Sequence, residues 1–93
     1  PTEIRKGGFA LREILIGKKQ IMDRQYRYYL LAETAENDCE YYGVKITDGR
    51  EDAALRNITV SQRNIQSLGA LLVDFSVTPM TLRDVVEDWL ARN

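Results

Sequence analysis

Apolar residues recur along this chain at two different periods, and the change from one to the other divides it into a strand-forming and a helix-forming part. Gln25 to Thr34 reads Gln-Tyr-Arg-Tyr-Tyr-Leu-Leu-Ala-Glu-Thr, dense in aromatic residues, and predicts a strand. Glu40 to Thr47 predicts a second strand, with Tyr42, Val44 and Ile46 on one face and Tyr41, Gly43, Lys45 and Thr47 on the other. The polar link Ala35-Glu36-Asn37-Asp38-Cys39 between them suits a hairpin loop. Asp48-Gly49 signals a turn, and Ala53 to Thr59 supplies one further short strand. Ala10 to Asp23 is less clear-cut. Leu11, Ile14, Leu15 and Ile16 fit a short helix or a strand, and Gly17-Lys18-Lys19-Gln20 resembles a turn. Gly17 interrupts any longer helix, so strand–turn–strand is expected there.

Beyond Val60 the period lengthens. Ser61 is a natural N-cap, with Val60 and Ile65 spaced to form a hydrophobic staple around it. Ile65, Leu68, Leu72 and Phe75 then mark one face of a helix. Leu82, Val85, Val86, Trp89 and Leu90 form an unbroken amphipathic stripe that predicts a second helix. Its start is signalled by Thr78-Pro79 and by a capping box from Thr81 to Asp84. Asp84, Glu87 and Asp88 occupy its polar side, with Arg92 one turn after Asp88.

These elements imply an α+β fold: an antiparallel sheet of three to four strands followed by two C-terminal helices packed on one face. A bare hairpin is marginal in water, and the stripe through Trp89 needs an apolar surface to cover, so each half completes the other. At 93 residues the chain is expected to be one domain, 1–93, with 1–9 a loose N-terminal arm that Gly7-Gly8 sets apart from the folded body.

Composition narrows the function classes. Cys39 is the sole cysteine, so no disulfide scaffold can form within the chain. No apolar run approaches a membrane span and no signal-like core follows a basic start, which makes a cytoplasmic protein without membrane contact the expectation. The net charge of −1 hides an asymmetry. Residues 1–27 hold seven basic side chains against three acidic ones, and the remainder of the chain is acidic. Such a segment either attracts an acidic partner or lies against the chain's own acids.

Catalytic chemistry is hard to assemble from these residues. Histidine is absent, which removes the commonest general base and metal ligand. One cysteine cannot build a zinc site, and between Asp38 and Glu40 it lacks the positive neighbours of a reactive thiolate. Gly17-Lys18-Lys19 lacks the first glycine and the final Ser/Thr of a phosphate loop. The acids Glu36, Asp38 and Glu40 do not follow a calcium-loop spacing. No catalytic residue, cofactor or metal is therefore expected, and an enzyme would need a deep pocket with perturbed carboxylates or tyrosines.

The tyrosines carry more information. Tyr26, Tyr28 and Tyr29 interleave with Arg24 and Arg27, and Tyr41 and Tyr42 follow on the next strand. Aromatics beside arginines on a sheet can anchor an interface or stack bases, or simply pack across strands. Tyr26, Arg27, Tyr28, Tyr41, Arg24, Lys18 and Lys19 form the candidate interaction surface.

The segments Tyr26-Arg27-Tyr28-Tyr29-Leu30-Leu31, Tyr42-Gly43-Val44-Lys45-Ile46 and Val77-Thr78-Pro79, together with Leu82 to Leu90, resemble a family of short uncharacterised proteins from Gram-positive anaerobic bacteria. The resemblance spans roughly residues 25–92 and implies no activity, because that family is a domain of unknown function. The functional expectation is a non-catalytic protein-interaction or regulatory module, binding a protein partner or a second copy of itself. The alternative is nucleic-acid binding through the basic first quarter together with Tyr26, Tyr28 and Tyr41, which requires Arg12, Lys18, Lys19, Arg24 and Arg27 to converge on one face.

Overall fold

The computed structural model describes residues 3–6 and 9–92, with side chains from Leu11 onward. Five antiparallel strands run in chain order: β1 (Glu3–Lys6), β2 (Phe9–Ile21), β3 (Arg24–Thr34), β4 (Glu40–Thr47) and β5 (Asp52–Thr59). Helix α1 (Gln62–Asp74), a 3₁₀ turn (Pro79–Thr81) and helix α2 (Leu82–Arg92) follow. The expected sheet with two C-terminal helices is thus present, and the short β1 adds to the four strands β2–β5. Glu3–Lys6 of the expected arm is this strand, while the Gly7-Gly8 junction lies outside the described residues.

Residues 10–23 depart from expectation. They do not fold as strand–turn–strand: β2 runs unbroken to Ile21, and the reversal is the two-residue turn Met22-Asp23. Met22 takes φ 56°, the positive value that a tight hairpin needs at its first central residue. Gly17 marks a bulge in place of a turn, because pairing with β3 skips from Leu15 to Gly17. Helix α1 also crosses closely there, and a Cβ on Gly17 would stand 3.0 Å from a Val73 methyl.

One face of the sheet carries the core. Tyr28, Val44 and Ile46 are fully buried against Ile65, Leu68 and Leu72 of α1 and Leu82 and Val86 of α2. Gly69 brings α1 close to the sheet, where any side chain would press on Ile16 and Leu30. Ser61 caps α1 as expected, its hydroxyl accepting from the Asn64 amide at 3.1 Å. The staple is not made, since Val60 points to solvent.

Phe75 also leaves the predicted face and is 75% exposed. The helix ends one residue earlier in a Schellman turn, with Ser76 at φ 52°. The Val77 amide donates to Leu72 O at 3.0 Å and that of Ser76 to Val73 O at 3.1 Å. This turn swings Phe75 outward and Val77 inward. Thr78 and Thr81, not Thr81 and Asp84, form the capping box, around the Pro79 turn. On α2, Leu82 and Val86 are buried, Val85 and Trp89 half-buried against the core, and Leu90 exposed. Asp84, Glu87 and Asp88 face solvent, and Arg92 pairs with Asp88 at 3.1 Å.

Candidate functional site

The seven candidate surface residues do not assemble into one patch. Alternation along β3 and register with β4 place Tyr26 and Tyr28 on the helix-covered face, where both are core residues. Neither is exposed at the surface. Tyr28 donates its hydroxyl to Val77 O at 2.8 Å, tying the connection between the helices to the middle of the sheet. Burial pushes its phenol above the usual tyrosine range. Lys19 is held by Ser76 Oγ at 2.9 Å. Arg24 pairs with Asp48 at 3.0 Å. Tyr41 is half-buried on the opposite face, in register with Glu33. Lys18 and Arg27 remain exposed and stand directly opposite each other on that same face.

The basic residues therefore divide between the faces. Arg12, Lys19 and Arg24 lie on the helix side by register, Lys18 and Arg27 on the other. Among the described side chains, most of the sheet's charges bind one another across the strands. Arg12 reaches Glu40 at 2.9 Å and Lys45 reaches Glu13 at 2.9 Å, each spanning β3. Lys45 also stands 5.8 Å from the centre of the Tyr29 ring. Arg56 crosses β4 to grip Glu33 with two guanidinium nitrogens, and this hydrogen bonding holds the Glu33 carboxyl below its usual range.

Asp48 organises the β4–β5 turn. Its carboxylate accepts from the amides of Glu51 at 2.7 Å and Arg50 at 2.9 Å, and these two donors, with Arg24 behind them, lower its pKa. The folded protein thus gains stability from ionised Asp48 above the ordinary aspartate value of about 3.9, and loses it as pH falls through the lower folded value. Asp48→Ala is expected to lower the melting temperature at pH 7 and to flatten its decline between about pH 5 and 3. An unchanged acid limb in thermal melts would show that Asp48 does not carry that stability.

A different feature lies at the edge of the sheet. β1 pairs with β2 only over Phe9–Arg12, so among the described residues the outer edge of β2 from Glu13 to Ile21 has no neighbouring strand. Ile14, Leu15 and Ile16 lie on this edge with exposures of 46%, 45% and 36%. Ile14 and Ile16 turn toward α1 and share with it an open groove of about 520 Å³. Leu30, Ala32 and Tyr42 form its floor, and Ile65, Ala70 and Val73 of α1 its wall. Gln62, Gln66 and Asp74 supply its polar rim. The signal for this site in the sequence was the run Ile14-Leu15-Ile16, but periodicity alone does not show which edge of a sheet lacks a partner.

Among the described residues no cluster of three His, Cys, Asp or Glu side chains is placed to hold a metal ion. Cys39 is exposed in the β3–β4 loop. Within the described residues no helix is long and apolar enough to cross a membrane.

The model of the DUF6514 family, a family of unknown function, matches residues 12–92, and the chain belongs to that family. No curated protein and no solved structure matches the chain.

Proposed function

We propose that this member of the DUF6514 family is a non-catalytic protein-interaction module that docks partners by strand addition to the open edge of β2. The observation that carries the reading is the stretch Glu13–Ile21, unpaired among the described residues, with three consecutive exposed aliphatic residues beside an apolar groove. An edge of this kind offers a row of free backbone donors and acceptors, a template for a further strand. Natural edges are commonly blunted by charges and bulges, and here Glu13 on one side and the Gly17 bulge with Lys18 and Lys19 on the other flank the aliphatic run without interrupting it. The resemblance at Leu82–Leu90 and the single cysteine support a home in the cytoplasm of a Gram-positive anaerobic bacterium.

The test compares affinity capture from a lysate of the source cells by the native chain and by the double variant Ile14→Lys, Leu15→Lys. Asp84→Lys on the solvent face of α2 is the control. Capture of proteins that the edge variant loses and the control retains, before and after nuclease, is expected. An identical set from all three baits would remove the edge as the docking site. Material released by nuclease would favour nucleic acid instead.

A further inference from the structure

Resting on the strand-addition reading, we infer that the strand received by β2 is an extended acidic–apolar segment of another protein. Its apolar side chains enter the groove beside Ile14, Ile16 and Val73, and its carboxylates meet Lys18 and Arg27.

Charge complementarity identifies the acidic part. Arg12, Arg24, Lys45 and Arg56 each hold a carboxylate across the sheet. Lys18 and Arg27 do not: among the described residues no acid pairs with either, and they oppose each other in register on adjacent strands. Like charges placed directly across an antiparallel pair repel, and the side-chain partner that Arg27 has, Gln25 Oε1 at 3.5 Å, is uncharged. Lys18 lies on the open edge itself, so a strand laid along β2 brings its own side chains next to Lys18 and one strand away from Arg27, a span that Arg12 and Arg56 already cross to reach their carboxylates. A carboxylate there replaces repulsion with two attractions.

The groove identifies the apolar part. Ile14 and Ile16 face the helix side, whereas Lys18 faces the other side beyond the Gly17 bulge. A pairing strand alternates its side chains in the same way, so apolar residues toward the groove and acids toward Lys18 and Arg27 are compatible within one segment.

A second copy of this chain fits less well. Two β2 edges paired antiparallel keep their helix faces on one side throughout in a single register, with Ile16 opposite Gly17 of the other copy. That register sets Ile14 opposite Lys19 and Leu15 opposite Lys18, apolar against cationic. Shifting by one residue brings Glu13 opposite Lys19, but it then joins the helix face of one copy to the open face of the other.

The experiment pans a displayed library of random extended peptides, about nine residues long, against the 93-residue chain. Enriched sequences are expected to alternate aliphatic or aromatic residues and to carry Asp or Glu. A synthetic copy of the leading sequence should lose about tenfold in affinity for the variant Lys18→Glu, Arg27→Glu, and a copy with its acids changed to Lys should recover it. Both side chains are exposed, so the double variant should melt as the native chain does; Lys18→Glu alone serves if it does not. Edge-bound peptides that are neutral or basic, lost on Ile14→Lys, Leu15→Lys, would overturn the acidic partner and leave strand addition standing. Failure to enrich any peptide, or binding indifferent to those edge changes, would overturn both. A concentration-dependent dimer in sedimentation, abolished by the same edge changes, would assign the edge to a second copy and also overturn the inference.

Discussion

Replacing Gly43 with valine is expected to destabilise the domain by about 3 kcal/mol or more, a large effect for a residue without a side chain. At this point β5 arches over β4. Pairing passes from Val44↔Leu55 to Tyr42↔Thr59, so Arg56, Asn57 and Ile58 face the single residue Gly43. Asn57 takes φ 58° to make the arch. A Cβ on Gly43 would stand 2.2 Å from the Leu55 carbonyl oxygen and 2.8 Å from Arg56 Cα. These are backbone atoms, which no rotamer change can move aside. To admit the side chain β5 must lift, and the Arg56–Glu33 pair held by the arch should be lost with it. Gly49→Ala supplies the comparison. Gly49 has φ 88° with nothing within 4 Å of its missing Cβ, so only backbone strain of about 1 kcal/mol is expected. Urea unfolding of both variants decides the matter. Equal losses at the two positions would show that the close approach at Gly43 is not limiting.

Tyr28 is expected to be the most costly core position to truncate. It is fully buried at the centre of the sheet, and Tyr28→Ala should cost about 3–5 kcal/mol, a large share of the stability of a small domain. Tyr28→Phe isolates the hydroxyl. It keeps the packing but leaves Val77 O without this donor, for an expected loss of about 1–2 kcal/mol. Because that bond ties the inter-helix connection to β3, the Phe variant should also speed amide exchange around Val77 more than around Ile46. Uniform acceleration would instead describe Tyr28 as an ordinary core side chain with no special hold on the connection.

Part of this architecture could be read directly. Tyr42, Val44 and Ile46 alternate with Tyr41, Gly43 and Lys45, and the structure places them on the two faces so predicted. Ser61 caps α1, and Leu82 and Val86 face the core. These features depend on near neighbours in the chain, because side-chain direction follows from the period of the element. Phe75 and Gly17 show where such reading stops. Phe75 continues the helical spacing, yet a left-handed Ser76 ends the helix just before it could point inward. Gly17 begins a tetrapeptide that looks like a turn, yet β3 holds its flanking residues in one ladder and the extra length is taken up as a bulge.

The candidate site was legible only in fragments. The mixture of tyrosine and arginine on β3 drew notice to Tyr26 and Tyr28, which the helices bury. The run Ile14-Leu15-Ile16 is conspicuous in sequence, but a buried strand would contain the same residues. What distinguishes it is that β1 covers only Phe9–Arg12 of β2, and that α1 leaves a groove beside it.

By itself, then, the sequence determined the local conformation of most segments, the sidedness of β4 and α2, and a composition with one cysteine and no histidine. Only the tertiary structure decided which face of β3 the helices cover, which cations find carboxylates, and which stretch of edge stays open among the described residues. The division has a physical cause. Period and capping act over a few residues, whereas burial, ion pairing and edge exposure depend on segments brought together from distant parts of the chain, as Tyr28 is with Val77 and Arg12 with Glu40.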